Sequence, residues 1–155
     1  MRLQYDPSRG TFDLALAPAG GLDPGIGNGG ALEASVWVSL FTDALAELED
    51  MTVDLGTDRR GWWADAGRAV EDSMGSQIWL HLREKRTETA RLAIERAAQA
   101  SVDWLARDGL ASSVTVTATL LDRPRDAIAL QVVLVEPNGV RRDWKVDLLW
   151  SGLAR

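Results

Sequence analysis

Acidic and basic side chains concentrate in the middle of the chain, where they could support hydrolytic chemistry. The carboxylates there are Asp58, Asp65, Glu71, Asp72 and Glu84. Glycoside hydrolysis needs two carboxylates about 5 Å or about 6.5–9.5 Å apart. Arg59 and Arg60 stand between two of the aspartates and could clamp an anion there. Carboxylates at this density are also ordinary for a solvated surface, so a hydrolase is an alternative interpretation.

The sequence lacks the nucleophile motif and the metal-binding residues that would accompany such chemistry. The chain has no cysteine and one histidine, His81, so thiolate chemistry is excluded and a zinc site is not expected. His81 stands in the apolar run Trp79–Leu82, and no serine or cysteine nucleophile motif accompanies it. A structural histidine is therefore favoured. We predict no catalytic residue, no metal and no cofactor, and hence a protein that is not an enzyme.

Residues 25–30 are a formal match to the dinucleotide-binding pattern G-x-G-x-x-G. That pattern functions directly after a buried parallel strand and at the start of a helix. The preceding candidate strand, Thr11 to Ala17, is half polar and ends well before Gly25, so a flexible loop from Pro18 to Gly30 is favoured. We predict that residues 1–30 form an N-terminal strand or arm with a glycine-rich loop, and that residues 31–155 form a single domain.

Apolar spacing predicts three helices after this arm, at about 31–48, 74–82 and 88–107. The pair Thr42-Asp43 could end the first helix early. Alternation of Ile78, Leu80 and Leu82 makes a strand the competing prediction for the second.

The third helix is the longest and has the clearest boundaries. Thr87 is the predicted N-cap, and Gly109 the predicted C-terminal stop. Its solvent face is expected to carry Arg91–Glu95 and Asp103–Arg107 as i,i+4 pairs. Its inner face is predicted to comprise Ala90, Ile94, Ala97, Ser101, Trp104 and Leu105.

The residue pattern in the C-terminal third of the chain predicts an antiparallel sheet. Strands are predicted at about 113–121, 127–136 and 140–150, with Pro137-Asn138-Gly139 as a hairpin turn. The last strand places Arg142, Trp144, Val146, Leu148 and Trp150 on one face. Three antiparallel strands after a run of helices predict an α+β fold, with the helices packed on one face of the sheet.

Charge and composition narrow the classes of partner. The formal net charge is −6, whereas phosphate binding needs clustered Lys and Arg, so we expect no nucleic-acid partner. No apolar run approaches about 20 residues and the N-terminus has no apolar signal region, so we expect no membrane and a cytoplasmic location of synthesis. Seven tryptophans suit cores and protein interfaces alike.

Trp62 and Trp63 are adjacent, so in an extended loop their side chains point in opposite directions. One can belong to the core while the other faces outward as an interface anchor. The run Arg83-Glu84-Lys85-Arg86 is either a solvated charge run or the polar rim of a docking surface.

Five blocks of residues stand in order along the chain: Leu32–Val36, Ser39–Asp43, Asp58–Asp65, Gly75–Lys85 (Gly75-Ser76, Trp79-Leu80 and Arg83-Glu84-Lys85) and Trp104–Gly109. These blocks resemble the baseplate protein of Mu-like contractile-tail phages, and the resemblance extends from Leu32 to the C-terminal strands. That family is similar to the wider sheath-initiator, or baseplate wedge, family once labelled as lysozyme.

The resemblance implies a small α+β structural subunit of the tail baseplate, assembled in the host bacterial cytoplasm and present in several copies in a ring. Such a subunit would bind neighbouring wedge proteins and offer strands on which the tail sheath builds, and the C-terminal hairpin could supply the sheet edge. The wider family carries a Trp-Glu-Pro-Arg element. Trp104 and Arg107 match it, but Leu105 and Ala106 depart from it, and residues 44–57 are extra length.

The residues and the resemblance together favour a non-catalytic baseplate subunit. The alternatives are a cell-wall hydrolase that uses paired carboxylates and a free-standing adaptor outside any tail. The candidate interface residues are Arg59, Arg60, Trp62, Trp63, Arg83, Glu84, Lys85 and Arg107.

Overall fold

The structure, a computed structural model, describes residues 3–6, 11–14, 29–51, 57–65, 73–82, 84–122 and 127–149. The chain divides into two compact units, Met1–Val38 and Ser39–Arg155. This division falls inside the first helix, whereas the sequence places its boundary at residue 30.

The N-terminal unit contains a small hairpin and most of the first helix. Strands β1 (Leu3–Asp6) and β2 (Thr11–Leu14) pair antiparallel, with Leu3 opposite Leu14. β2 agrees with the first part of the predicted strand, while β1 was not predicted. Helix α1 spans Gly29–Phe41, so the predicted loop ends two residues too late. The rest of that loop, including most of the G-x-G-x-x-G match, lies outside the described residues.

Helix α1 ends at Phe41, and the predicted end at residue 48 is wrong. The early end at Thr42-Asp43 is confirmed. The backbone leaves the helix because it forms hydrogen bonds with Ser76 instead. Ser76 N donates to Thr42 O at 2.8 Å, and Ala44 N donates to Ser76 O at 3.0 Å. A 3-10 turn at Leu48–Asp50 follows. A distant residue therefore decides where this helix stops.

Helix α2 is a single turn, Ile78–His81, so the predicted helix is confirmed but shorter than 74–82, and the competing strand is wrong. The residues before Ile78 cannot join the helix because Ser76 is bonded to Thr42 and Ala44, just after the end of α1. Gly75 has φ +110°, and a Cβ there would lie 2.4 Å from Thr42 O, so the chain needs glycine at this position. The Ser76 hydroxyl also donates to Leu40 O at 2.7 Å.

The long predicted helix is present but broken at Asp103 into α3 (Glu88–Val102) and α4 (Trp104–Arg107). The predicted N-cap is confirmed, because Thr87 Oγ1 accepts from Ala90 N at 3.2 Å. The predicted stop is confirmed by the left-handed Gly109, with φ +76°.

The inner face of α3 and α4 differs from the predicted one at two positions. Ala98 and Val102 are buried where Ala97 and Trp104 were expected, and the latter two are only half-buried. The side chain of Trp104 stays between the core and the solvent because its indole N–H donates to Ser39 Oγ at 3.0 Å. The predicted Arg91–Glu95 pair is confirmed at 2.7 Å. The other predicted pair is Asp103–Arg107, and there Arg107 Nε donates to Asp108 at 3.0 Å.

The C-terminal sheet has the order β3-β4-β5 and is antiparallel throughout. Its strands are β3 (Ser113–Leu120), β4 (Ala127–Val135) and β5 (Arg141–Leu149), each within one residue of the prediction at either end. The turn is also as predicted: Gly139 has φ +85°, and its N–H donates to Glu136 O at 2.9 Å. The α+β fold class is confirmed.

The core lies on the face of the sheet formed by even-numbered residues. β3 and β4 bury these side chains almost completely, and α3 packs against β3. Each fully buried Leu, Ile or Val contributes about 1.5–3 kcal/mol to folding. On β5 the same face is only half-buried, from Arg142 to Leu148, and Trp150 lies outside the described residues. Within the described part of the chain, no helix is long and apolar enough to cross a membrane.

Candidate docking surfaces

One outer edge of the C-terminal sheet, that of β3, is closed by side chains of α3. Val116 N donates to Gln99 Oε1 at 2.7 Å, and Ala118 N donates to Glu95 Oε2 at 2.8 Å. Two carbonyl groups are also satisfied: Gln99 Nε2 donates to Val114 O at 3.1 Å, and Arg91 donates to Ala118 O at 2.8 Å. Four of the backbone groups that β3 turns away from β4 between 114 and 118 are therefore bonded to side chains of α3.

This closure works because the two periodicities match. Four residues of α-helix rise about 6 Å, and two residues of strand rise about 6.6–6.8 Å. Glu95 and Gln99, four apart on α3, therefore accept from the N–H groups of Ala118 and Val116, two apart on β3. Arg91 donates to the carbonyl of Ala118, and Gln99 also donates to that of Val114. The sequence contains this signal as a polar row at i, i+4 and i+8, but two of its members read as an ordinary solvent-facing ion pair.

Arg91 anchors the row electrostatically. Its side chain is only 16% exposed, and its guanidinium lies 2.7 Å from Glu88 and 2.7 Å from Glu95. The hydrogen bond to Glu88 raises the pKa of Arg91 above its ordinary value, burial opposes this, and Glu95 adds to the rise. Arg91 therefore stays charged and holds Glu95 in place for the Ala118 amide.

The opposite edge, that of β5, carries no such cover among the described residues. At the hairpin, Glu136 N donates to Val140 O at 2.8 Å, and the register pairs Val132 with Trp144, so even-numbered residues of β5 bond to β4. In an antiparallel ladder the odd-numbered residues then direct their N–H and C=O groups outward. No described strand pairs with this edge. The outward residues alternate in charge: Arg141, Asp143, Lys145 and Asp147.

A second surface is formed by two loop segments, Asp43–Asp50 and Asp58–Asp65, which we call the paired loops. Ala46 N donates to Arg59 O at 3.0 Å, and Arg59 Nε donates back to Ala46 O at 2.6 Å. Gly61, with φ +97°, lies so close to Leu45 that a Cβ would be 3.0 Å from the Leu45 Cβ. These contacts hold the two segments side by side.

Arg60 fixes the paired loops to the rest of the unit. Its guanidinium donates to Asp43 Oδ2 at 2.6 Å and stacks 4.5 Å from the centre of the Trp79 ring. Its backbone has φ +54°, and its N–H donates to Asp58 Oδ1 at 2.9 Å. Both arginines of this block are therefore engaged within the unit, and neither is held as part of an anion clamp between Asp58 and Asp65.

The two adjacent tryptophans are in different environments. Trp62 is half-buried, Trp63 is 83% exposed, and the two ring centres are 6.0 Å apart. Two leucines of the paired loops, which the sequence reasoning did not select, are also exposed: Leu45 at 50% and Leu48 at 73%. Exposure of three large apolar side chains on two connected segments is typical of a binding surface.

The remaining candidate interface residues lie elsewhere. Glu84 and Lys85 are exposed in the connection between α2 and α3, and Arg107 is exposed at the end of α4. Arg83 lies outside the described residues. The described contacts bring together only the four candidates of the paired loops, Arg59, Arg60, Trp62 and Trp63.

The described carboxylates of the possible hydrolytic set each make a structural bond. Asp58 accepts from the Arg60 backbone, and Asp65 Oδ2 accepts from Met74 N at 3.0 Å. Glu84 lies 2.7 Å from His81 Nδ1. Glu71 and Asp72 are outside the described residues. No group of three or more acidic or histidine side chains in the described part is placed to hold a metal ion.

Comparison with known proteins gives consistent matches over most of the chain. A family model described as "Phage protein GP46" matches residues 32–141. The baseplate protein gp46 of Escherichia phage Mu is 35% identical over 123 residues, which is 79% of this chain and 82% of the relative. The Mu-like prophage FluMu protein gp46 of Haemophilus influenzae is 28% identical over 121 residues, or 78% of this chain and 80% of the relative.

Proposed function

The chain belongs to the GP46 family of Mu-like phage baseplate proteins, and on that basis we propose that it binds neighbouring wedge proteins and supports assembly of the tail sheath. It is a structural baseplate subunit of a phage virion tail. Its proposed setting is a ring of several copies, assembled in the host cytoplasm. The proposed role in sheath assembly is supported by the difference between the β3 edge and the β5 edge of the sheet.

A sheet edge with free backbone groups can accept a strand from another chain, and proteins usually protect edges that are not used in this way. Here β3 is closed by the α3 side chains at 114–118, whereas β5 directs its odd-numbered backbone groups outward. This asymmetry supports β5 as the acceptor of a sheath strand.

The partly covered face of β5 supports the same assignment. Trp144, Val146 and Leu148 are half-buried, although the corresponding positions of β4 are fully buried. A strand added beside β5 would place its own alternate side chains next to these three and extend the core. On the other face, its charges would meet the alternating charges of β5 and set the register.

A proline at position 145 tests the edge directly. Lys145→Pro removes one outward N–H, which edge strands tolerate, while the ladder to β4 uses the even-numbered residues. Lys145→Ala is the matched control, since it removes the charge but keeps the N–H. Each variant is supplied to a phage that lacks this gene, and the tails are examined by electron microscopy.

We expect Lys145→Pro to yield tails without assembled sheath and Lys145→Ala to yield sheathed tails. A thermal melt of each purified protein establishes that both are folded. Normal sheaths on tails carrying Lys145→Pro would refute the assignment of β5.

The binding of wedge proteins is assigned to the paired loops, with Trp63 as the anchor. Tryptophan is among the side-chain types enriched in the residues that dominate binding energy. Co-expression with the adjacent wedge protein tests this. We expect the wild type and Leu92→Ala, an exposed position on α3, to co-purify with it, and Trp63→Ala to lose it. Retention by Trp63→Ala would count against the paired loops as the wedge site.

No observation in the described residues favours the hydrolase. The relative from phage Mu is named as a baseplate protein, and each described carboxylate of the candidate set makes a structural bond. We expect the purified protein to leave a peptidoglycan suspension turbid. Clearing that is lost in Asp65→Asn or Glu84→Gln would establish the enzyme instead.

A further inference from the structure

We infer that the paired loops bind a cationic, amphipathic segment of another protein, in which apolar side chains are flanked by Lys and Arg. This inference rests on the proposed function only in treating the paired loops as a docking surface. It adds the chemical class of the partner, which follows from the balance of apolar and charged residues on the two segments.

The apolar part of the surface is preorganised. Trp63, Leu48 and Leu45 are exposed by 83%, 73% and 50%. The segments that carry them are joined by the Ala46–Arg59 bonds and by the close contact of Leu45 with Gly61. A surface that is already ordered loses less conformational entropy on binding than a flexible loop does.

The charged part of the surface is acidic. Asp43–Asp50 contains four acidic residues and no basic one, and Asp58–Asp65 contains two acidic residues and two arginines, so the formal charge is −4. Both arginines are engaged by acids of the same loops: Arg60 with Asp43 at 2.6 Å and Arg59 with Glu47 at 3.7 Å. Glu49, Asp50 and Asp58 are exposed on the same two segments as the apolar residues.

This charge selects among possible occupants. Nucleic acid and anionic membranes carry the same sign and would be repelled. A second copy of this chain has a net charge of −6, so it is also disfavoured. Interfaces place apolar residues at the centre and complementary charges around them, which leaves a protein segment with apolar residues and a basic rim.

Two synthetic peptides of identical pattern test the inference against the full-length protein. One is an amphipathic helix of Leu and Lys, and the other replaces every Lys by Glu. Binding of each fluorescently labelled peptide is measured by polarisation at low and at physiological salt. We expect the Leu/Lys peptide to bind, more weakly as salt is raised, and the Leu/Glu peptide not to bind.

Paired variants locate the site. Trp63→Ser is expected to weaken binding of the Leu/Lys peptide about tenfold or more. The double change Glu49→Gln/Asp50→Asn is expected to weaken binding and flatten its salt dependence. The double change Asp108→Asn/Asp122→Asn removes the same charge from exposed positions outside the paired loops and β5, and it should leave binding unchanged. All of these positions except Asp108 are exposed without a described side-chain hydrogen bond, so the fold is expected to be retained, which a thermal melt checks.

Several results would overturn the inference. Equal binding of both peptides, or equal binding of the Leu/Lys peptide to all variants, would show that the paired loops do not select a basic partner. Self-association of the wild type that is lost in Trp63→Ser would identify a second copy as the occupant. Failure of the Leu/Lys peptide while Trp63-dependent co-purification with the wedge protein persists would overturn the cationic class alone. Absence of peptide binding together with absence of Trp63-dependent co-purification would overturn the docking role as well.

Discussion

The substitution Gln99→Leu tests whether side chains of α3 close the β3 edge. Gln99 accepts from Val116 N at 2.7 Å and donates to Val114 O at 3.1 Å, so one side chain satisfies both a donor and an acceptor of the strand. Leucine has a similar volume and can do neither. The variant therefore removes hydrogen bonds while it changes packing little.

The expected loss in the free energy of unfolding is about 2–3 kcal/mol. Each backbone group that loses its partner costs about 1–3 kcal/mol when buried, and these two sites are only part-buried, which places each near 1 kcal/mol. Loss of the Gln99–Asp103 bond, 2.6 Å long and exposed, adds about 0.2–0.5 kcal/mol. For a chain of this length the melting temperature should fall by roughly 4–12 °C.

Urea unfolding followed by tryptophan fluorescence measures this loss, with Gln131→Leu as the matched control. Gln131 is exposed on the sheet and bonds only to the Asp143 side chain among its described partners, so its replacement should stay within about 0.5 kcal/mol of wild type. Gln99→Glu keeps the acceptor for Val116 but faces the Val114 carbonyl with an oxygen, so it should also destabilise.

Exposure of a second sheet edge provides an independent readout. Gln99→Leu should self-associate in size-exclusion chromatography as its concentration is raised, because β3 then presents unpaired backbone groups. Equal stability and equal elution of Gln99→Leu and Gln131→Leu would refute the closure of this edge by α3.

Three further substitutions test other local features by thermal or urea unfolding. Gly75→Ala should cost about 3 kcal/mol or more, or prevent folding, since its φ is +110° and the new Cβ would lie 2.4 Å from a backbone oxygen; a melting temperature near that of wild type would contradict this. Thr87→Ala should cost about 1 kcal/mol through loss of the N-cap, and no loss would show that the cap is dispensable. Arg142→Met should cost about 2 kcal/mol, because buried Glu136 loses its 2.8 Å charged donor, while Arg141→Met, its exposed neighbour, should cost about 0.5 kcal/mol or less.

The features that sequence reasoning predicted well depend on local rules. The strand limits follow from alternation between 113 and 149, and the hairpin follows from Pro137-Asn138-Gly139. The N-cap at Thr87 follows from residue type and position. Each of these depends on neighbours within a few residues, so a single sequence contains the necessary information.

The features that it missed depend on residues far apart in the chain. α1 stops at Phe41 because Ser76 bonds to Thr42 and Ala44, and the same bridge shortens α2. The role of Gln99 depends on the position of β3 beside the helix. The exposure of Leu45 and Leu48 depends on how the paired loops meet.

Two of the blocks that resemble the family, Asp58–Asp65 and Gly75–Lys85, are joined to each other in this fold. Arg60, from the first block, stacks on Trp79 of the second, and the Trp79 indole donates to Ala44 O at 3.0 Å, beside the Asp43 that Arg60 also binds. Their polar groups thus fasten the end of α1 to α2. Within the first block this leaves Trp63 as the large apolar side chain that projects into solvent. A family signature of this kind identifies the scaffold, and the docking surfaces must be sought in what the scaffold exposes: the β5 edge and the apolar residues of the paired loops.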